Sequence, residues 1–151
     1  MKKSLTLILM MAVFLFGSYF NAIAQREVVI EGFSPAAGGN ITDYLDALTT
    51  AFDADAVLRE TEPNVTYILK RDQIYPNSQT IKNTFPLRVV AEEGTGAKPM
   101  ILTWEKATDK YDQLLEARAD VYFENIYFNN MSAIGVTQSR CQSLNAIGIR
   151  G

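Results

Sequence analysis

The chain has 151 residues, no histidine and a single cysteine, Cys141. Those two facts remove much of the chemistry a protein can do. Without an imidazole there is no ordinary proton shuttle and no common zinc or iron ligand. One thiol forms neither an intramolecular disulfide nor a metal cluster. With no His to activate it, Cys141 is read as a small apolar filler near a turn rather than as a nucleophile or an intermolecular bridge. Carboxylates and aromatics remain. Glu92-Glu93 is a pair that could hold a cation, but adjacent acids on a turn are read as solvated. Asp53 and Asp55 are read as ending a helix rather than binding metal. Asp109 and Asp112 flank Tyr111 in a stretch that could line a groove. Trp104, the only Trp, and Tyr111 form the candidate carbohydrate-binding pair, because an aromatic face stacks on a sugar ring. The competing reading is a Trp packed at the base of a loop. Tyr122 and Tyr127 are read as outward-facing, either as a platform for sugars or packed laterally on a neighbouring segment. A glycosidase needs two acids projecting into one groove, and no such pair is visible. No catalytic residue, metal ligand or cofactor is assigned.

Hydrophobic residues make up 48% of the chain and charged residues 21%, a globular composition. The apolar residues are unevenly spread. Lys2 and Lys3 precede an apolar run from Leu5 to Phe20, and Ala22-Ile23-Ala24 then places small residues at the −3 and −1 positions before Gln25. This is the layout of a cleaved secretory signal peptide over residues 1–24. The run is shorter than the roughly 20 residues that span a bilayer, so no membrane span is expected to be retained. No Cys follows it, which argues against a lipid anchor. The mature chain is expected to be exported to the periplasm, the cell surface or the medium. Removing residues 1–24 takes two of the 14 bases and none of the 17 acids, leaving a net charge of −5. That balance argues against a nucleic-acid partner, which would require a basic patch.

Asn40 can cap a helix, and Ile41, Leu45, Leu48 and Phe52 recur at helical spacing, which predicts one helix over 41–53. Short β-branched and aromatic runs surround it. They are Arg26–Ile30, Thr66–Leu69, Gln73–Tyr75, Thr80–Ile81, Leu87–Ala91 and Met100–Leu102. The segment Glu105–Ala119 is ambiguous between a helix and a loop with a strand over Gln113–Ala117; the second is preferred. In Val121–Asn130 the apolar alternation slips by one, from Val121 and Phe123 to Ile126 and Phe128. One flat strand would then expose half of the apolar set. A corner at Glu124-Asn125 lets both pairs face one interior, and Asn suits the αL conformation of a corner. Ala133–Val136 recurs as Ala146–Ile149, and apolar centres fall roughly every 20 to 26 residues, as in stacked repeats.

In order, Thr66–Leu69, Pro86–Gly94, Lys98–Ile101 and Val121–Asn130, behind a signal peptide, a short strand and an amphipathic helix, resemble the N-terminal part of a secreted bacterial right-handed parallel β-helix protein of the pectate-lyase-like superfamily. The resemblance implies an all-β fold: a right-handed parallel β-helix of about three to four coils, incomplete, with an N-terminal amphipathic capping helix. It divides the chain into a signal peptide (1–24), a strand and cap helix (25–56) and the start of a β-helix (57–151). It implies a polysaccharide as partner. It also implies either a non-catalytic structural or carbohydrate-binding part of a larger extracellular protein, or the N-terminal part of a polysaccharide lyase or glycoside hydrolase whose active site lies downstream of Gly151. None of that superfamily's catalytic or calcium-binding residues can be matched to a position in this chain. No cap is visible near Gly151, so the C-terminal edge is expected to pair with the remainder of its own chain or with another copy. For the leader, mass spectrometry of the secreted protein should find Gln25, free or cyclised, at the N-terminus; a mature protein that retains Met1 would contradict the cleavage.

Overall fold

The computed structural model describes residues 25–104 and 114–129, together with the backbone of 147–149. Ten strands are assigned among them: β1 (Arg26–Ile30), β2 (Val65–Leu69), β3 (Ile74–Asn77), β4 (Ile81–Asn83), β5 (Leu87–Ala91), β6 (Met100–Thr103), β7 (Leu115–Ala117), β8 (Val121–Glu124), β9 (Tyr127–Asn129) and β10 (Ile147–Ile149). They form three sheets, in the orders β1-β2-β5-β8, β3-β6-β9 and β10-β7-β4. From β2 onward the chain visits the three sheets in turn, three times over, and every paired strand runs parallel to its neighbour. The all-β, parallel-sheet expectation is met. The stretch that reads ambiguously contains a strand at Leu115–Ala117, while residues 105–113 lie outside the described residues, as do Cys141 and Ala133–Val136. The second circuit is longer than the first because its connections from β5 to β6 and from β6 to β7 are both longer than those from β2 to β3 and from β3 to β4. Unequal connections make the repeat irregular in sequence.

Each strand turns one side inward. Tyr67, Leu69, Leu87, Val89, Ile101 and Leu115 are at most 2% exposed and form the core with Tyr75 and Ile81. The expected corner is present. Asn125 adopts φ 58°, and Val121, Phe123, Ile126 and Phe128 all pack against the same core, with the rings of Phe123 and Phe128 edge to face at 5.1 Å. Asn129, whose residue type would equally suit a corner, is the last residue of β9.

The helix differs from expectation. In place of one helix over 41–53 there is a 3-10 turn at Ile41–Tyr44, a helix α1 at Ala47–Ala54 and a helix α2 at Ala56–Thr61. Asn40 caps the first turn, its Oδ1 accepting the Thr42 N–H at 3.1 Å. Asp46 breaks the continuity. It sits in the left-handed region at φ 60°, donates its backbone N–H to the Pro76 carbonyl at 2.9 Å, and accepts the Ser78 N–H at 2.6 Å and the Ser78 hydroxyl at 2.7 Å. These bonds fasten the segment to the β3–β4 corner, and their geometry does not fit a continuous helix. The apolar stripe divides accordingly: Leu48 and Phe52 are buried on the core, while Ile41 and Leu45 are half-buried. Phe33 completes the cover over this end of the molecule, exchanging backbone hydrogen bonds with Ile74 of β3 at 2.8 Å. Gly32 beside it has no room for a side chain, since a Cβ there would lie 2.8 Å from the Tyr75 ring.

Asp55, read as a helix terminator, does more than end α1. Its carboxylate receives a bidentate pair from Arg26, Nη1–Oδ1 2.7 Å and Nη2–Oδ2 2.8 Å, and accepts the Tyr67 hydroxyl at 2.8 Å. Arg59 donates to the Tyr67 oxygen and to the Phe52 carbonyl, both at 2.6 Å, and its guanidinium lies 3.7 Å from the centroid of Phe85. The Arg26 hydrogen bonds hold Asp55 below the usual carboxylate range; burial, and then Asp55 itself, push Tyr67 up to about 12.

Two consequences are measurable. Leu48→Ala should destabilise by about 2–5 kcal/mol in chemical denaturation, as for a closed core site; a loss under about 0.5 kcal/mol would place α1 at the periphery. The folded-state pKa of Asp55 is lowered, so the folded state binds this proton less readily than the unfolded chain. The associated stability is therefore full above the unfolded value, about 3.9, and is lost as pH falls through the folded value. Asp55→Asn should lower the melting temperature at pH 7, and the gap from the parent should close as the solution is acidified below that range. A gap of constant size from neutral to strongly acidic pH would contradict this role.

Candidate functional site

The outward side of the sheet β1-β2-β5-β8 is an accessible surface of mixed chemistry. Period-two alternation sends Tyr67, Leu69 and Val89 inward and places Thr66, Ile68, Arg88 and Val90 on the outer side, where Thr66 is itself buried and the other three are partly or fully exposed. Parallel register then lines up the outward residues of successive strands. Val29, Ile68, Val90 and Glu124 form one row across all four strands. Beside it Glu27 pairs with Thr66, and Arg88 pairs with Tyr122. Val29 is 53% exposed and Tyr122 45%, so this side is not covered by another described element.

The result is a groove of about 820 Å³ with an aliphatic floor at Val29, Ile68 and Val90. Charged residues edge it: Glu27 on one side, Arg71, Glu92 and Glu93 on the other, and Arg88 with Glu124 at the β8 end. It adjoins a second depression of about 800 Å³ over the turns that lead into β2, β5 and β8, where Pro63, Pro86 and Asp120 lie. Both cations are engaged. The Arg88 guanidinium stacks 4.2 Å from the centroid of Tyr122 and places Nη2 3.7 Å from Oε2 of Glu124, which also accepts the Tyr122 hydroxyl at 2.8 Å. Arg71 donates Nε to the Glu92 carbonyl at 2.8 Å and Nη1 to the Gly96 carbonyl at 3.2 Å. At the β1 end the Gln25 amide donates to the Thr66 hydroxyl. Such a surface is suited to binding: it offers a fixed apolar floor, hydrogen-bonding edges and one aromatic ring. Among the described residues no three metal-ligating side chains converge, and no helix is long and apolar enough to cross a membrane.

The residues singled out by sequence fall in different places. Trp104 is half-buried just after β6, its backbone N–H bonded to the Asn77 carbonyl at 2.8 Å. Its proposed companion Tyr111, with Asp109 and Asp112, lies outside the described residues. Asp53 is exposed, and Glu92 and Glu93 are exposed on the rim of the groove. Tyr122 and Tyr127 both point outward, but they belong to different sheets on either side of the Asn125 corner, and Tyr122 carries the stacked Arg88. Sequence reading passes over Glu27, Arg71, Arg88 and Glu124. Alternation marks Arg88 as outward, but only the register of four strands places these residues on one surface. Comparisons with protein-family models, with curated proteins and with solved structures gave no match.

Proposed function

We propose that this chain is the first part of a secreted right-handed parallel β-helix and serves as a non-catalytic, carbohydrate-binding or structural part of a larger extracellular protein that deals with polysaccharides. The observation that carries the proposal is the rotation of the chain through three sheets with every pairing parallel, together with α1 closing one end of the core. On this reading each circuit is a coil, and the three circuits of the chain through the sheets correspond to three coils. Stacked coils generate long, flat, repeating outer surfaces, which suit a repeating polymer better than a compact small molecule. The groove on the four-stranded sheet is such a surface. Trp104, which follows β6 in a different sheet, stands as a second candidate contact, with Tyr111 as the companion its sequence suggests, and the edge strands β8, β9 and β10 offer backbone groups to further coils of the same chain or to a second copy.

The full secreted chain should be retarded in native gels cast with at least one soluble polysaccharide. It should release neither unsaturated products, followed by the absorbance of a new double bond, nor reducing ends, with or without calcium. Reproducible release would overturn the non-catalytic reading in favour of a lyase or glycosidase. Failure to bind any polymer in a broad panel would overturn the carbohydrate reading.

A further inference from the structure

We infer that the groove on the four-stranded sheet takes a neutral polysaccharide, with sugar rings laid over Val29, Ile68 and Val90, and rejects polymers of uronic acids. The inference rests on the carbohydrate-binding reading and names the class of sugar. The floor comes first. Three aliphatic side chains stand in register on β1, β2 and β5. Neighbouring strands lie about 4.8 Å apart, so the floor offers one apolar step per strand, a spacing comparable to one pyranose unit. A pyranose presents a C–H face and a rim of hydroxyls. The C–H face fits the aliphatic row, and the carboxylates of Glu27 on one side and of Glu92 and Glu93 on the other can accept hydroxyl protons.

Charge decides the class. Four carboxylates line the groove, from Glu27, Glu92, Glu93 and Glu124, against two guanidiniums, from Arg71 and Arg88. The Arg88 guanidinium is already held against Glu124 and Tyr122, and that of Arg71 against two backbone carbonyls. A uronate polymer brings a negative charge on every ring into a surface with a net excess of two negative charges, within the roughly 8 Å over which exposed charges act at physiological salt. A neutral polymer meets no such repulsion and uses the same floor.

The test is affinity electrophoresis of the full secreted chain in gels containing galactomannan, xyloglucan or polygalacturonate, at low salt where charge effects are largest. A neutral polymer should retard the chain and polygalacturonate should not, with or without calcium. Val29→Asp, on an exposed edge strand, should weaken retardation by the neutral polymer about tenfold, the scale of losing one apolar contact. The doubly exposed change Glu27→Lys with Glu93→Lys should create retardation by polygalacturonate; circular dichroism verifies that both variants fold. Preferential retardation of the unaltered chain by polygalacturonate would overturn the class while leaving the carbohydrate reading intact. Retardation by the neutral polymer that Val29→Asp leaves unchanged would overturn the groove. Retardation by none of the polymers would overturn the carbohydrate reading and this inference with it.

Discussion

In-register parallel pairing is the constraint on which everything else in this molecule depends. A parallel pair cannot be closed by a tight hairpin, so each strand must wait for a full circuit of the chain before its neighbour arrives. Every corner must then return the backbone to the same height and the same inward face. Polar side chains at the corners serve that end. Asn83, 1% exposed, donates its amide to the carbonyls of Phe85 and Ala119, and so ties the turn after β4 to the turn after β7. Asp72 at φ 59° exchanges hydrogen bonds with Ala97 one circuit on, through its N–H and its carboxylate. The Asn83 bonds satisfy backbone groups that would otherwise be stranded inside, the Asp72 bonds lie at the surface, and both fix register where side-chain packing alone would permit slippage.

The same constraint explains the first end of the molecule. Stacked parallel strands leave a bare edge and an open core at each end. Here the open core is closed by Leu48 and Phe52 from α1, and the β3 edge is engaged by Phe33 and by the backbone of Asp46. Two buried aspartates hold this cover from opposite sides, Asp46 on the β3–β4 corner and Asp55 on Arg26 and Tyr67. The polar attachments supply direction and the apolar stripe supplies most of the burial. The price is a broken helix, since Asp46 cannot both continue it and reach Ser78.

Local pattern carried much of this into the sequence. Leu87–Ala91 coincides with β5, and the phase slip between Phe123 and Ile126 located the Asn125 corner, because one interior can be served by two alternating runs only if the chain bends between them. The helical stripe of Ile41, Leu45, Leu48 and Phe52 marked the segment that closes the core. Its division at Asp46 was not legible, because the partners of Asp46 lie more than thirty residues away at Ser78. The outer groove was hidden for the same reason. Glu27, Ile68, Arg88 and Glu124 are unremarkable each in its own strand, and they become one surface only through the register of four strands.

Nuclear Overhauser contacts between backbone protons test this register most directly. Isotope-labelled protein should show contacts linking Tyr67 to Val89 and Val89 to Phe123, in the slanted pattern of parallel neighbours. Close Hα–Hα contacts between strands consecutive in sequence, such as β2 with β3 or β5 with β6, would indicate antiparallel hairpins and contradict the three-sheet arrangement.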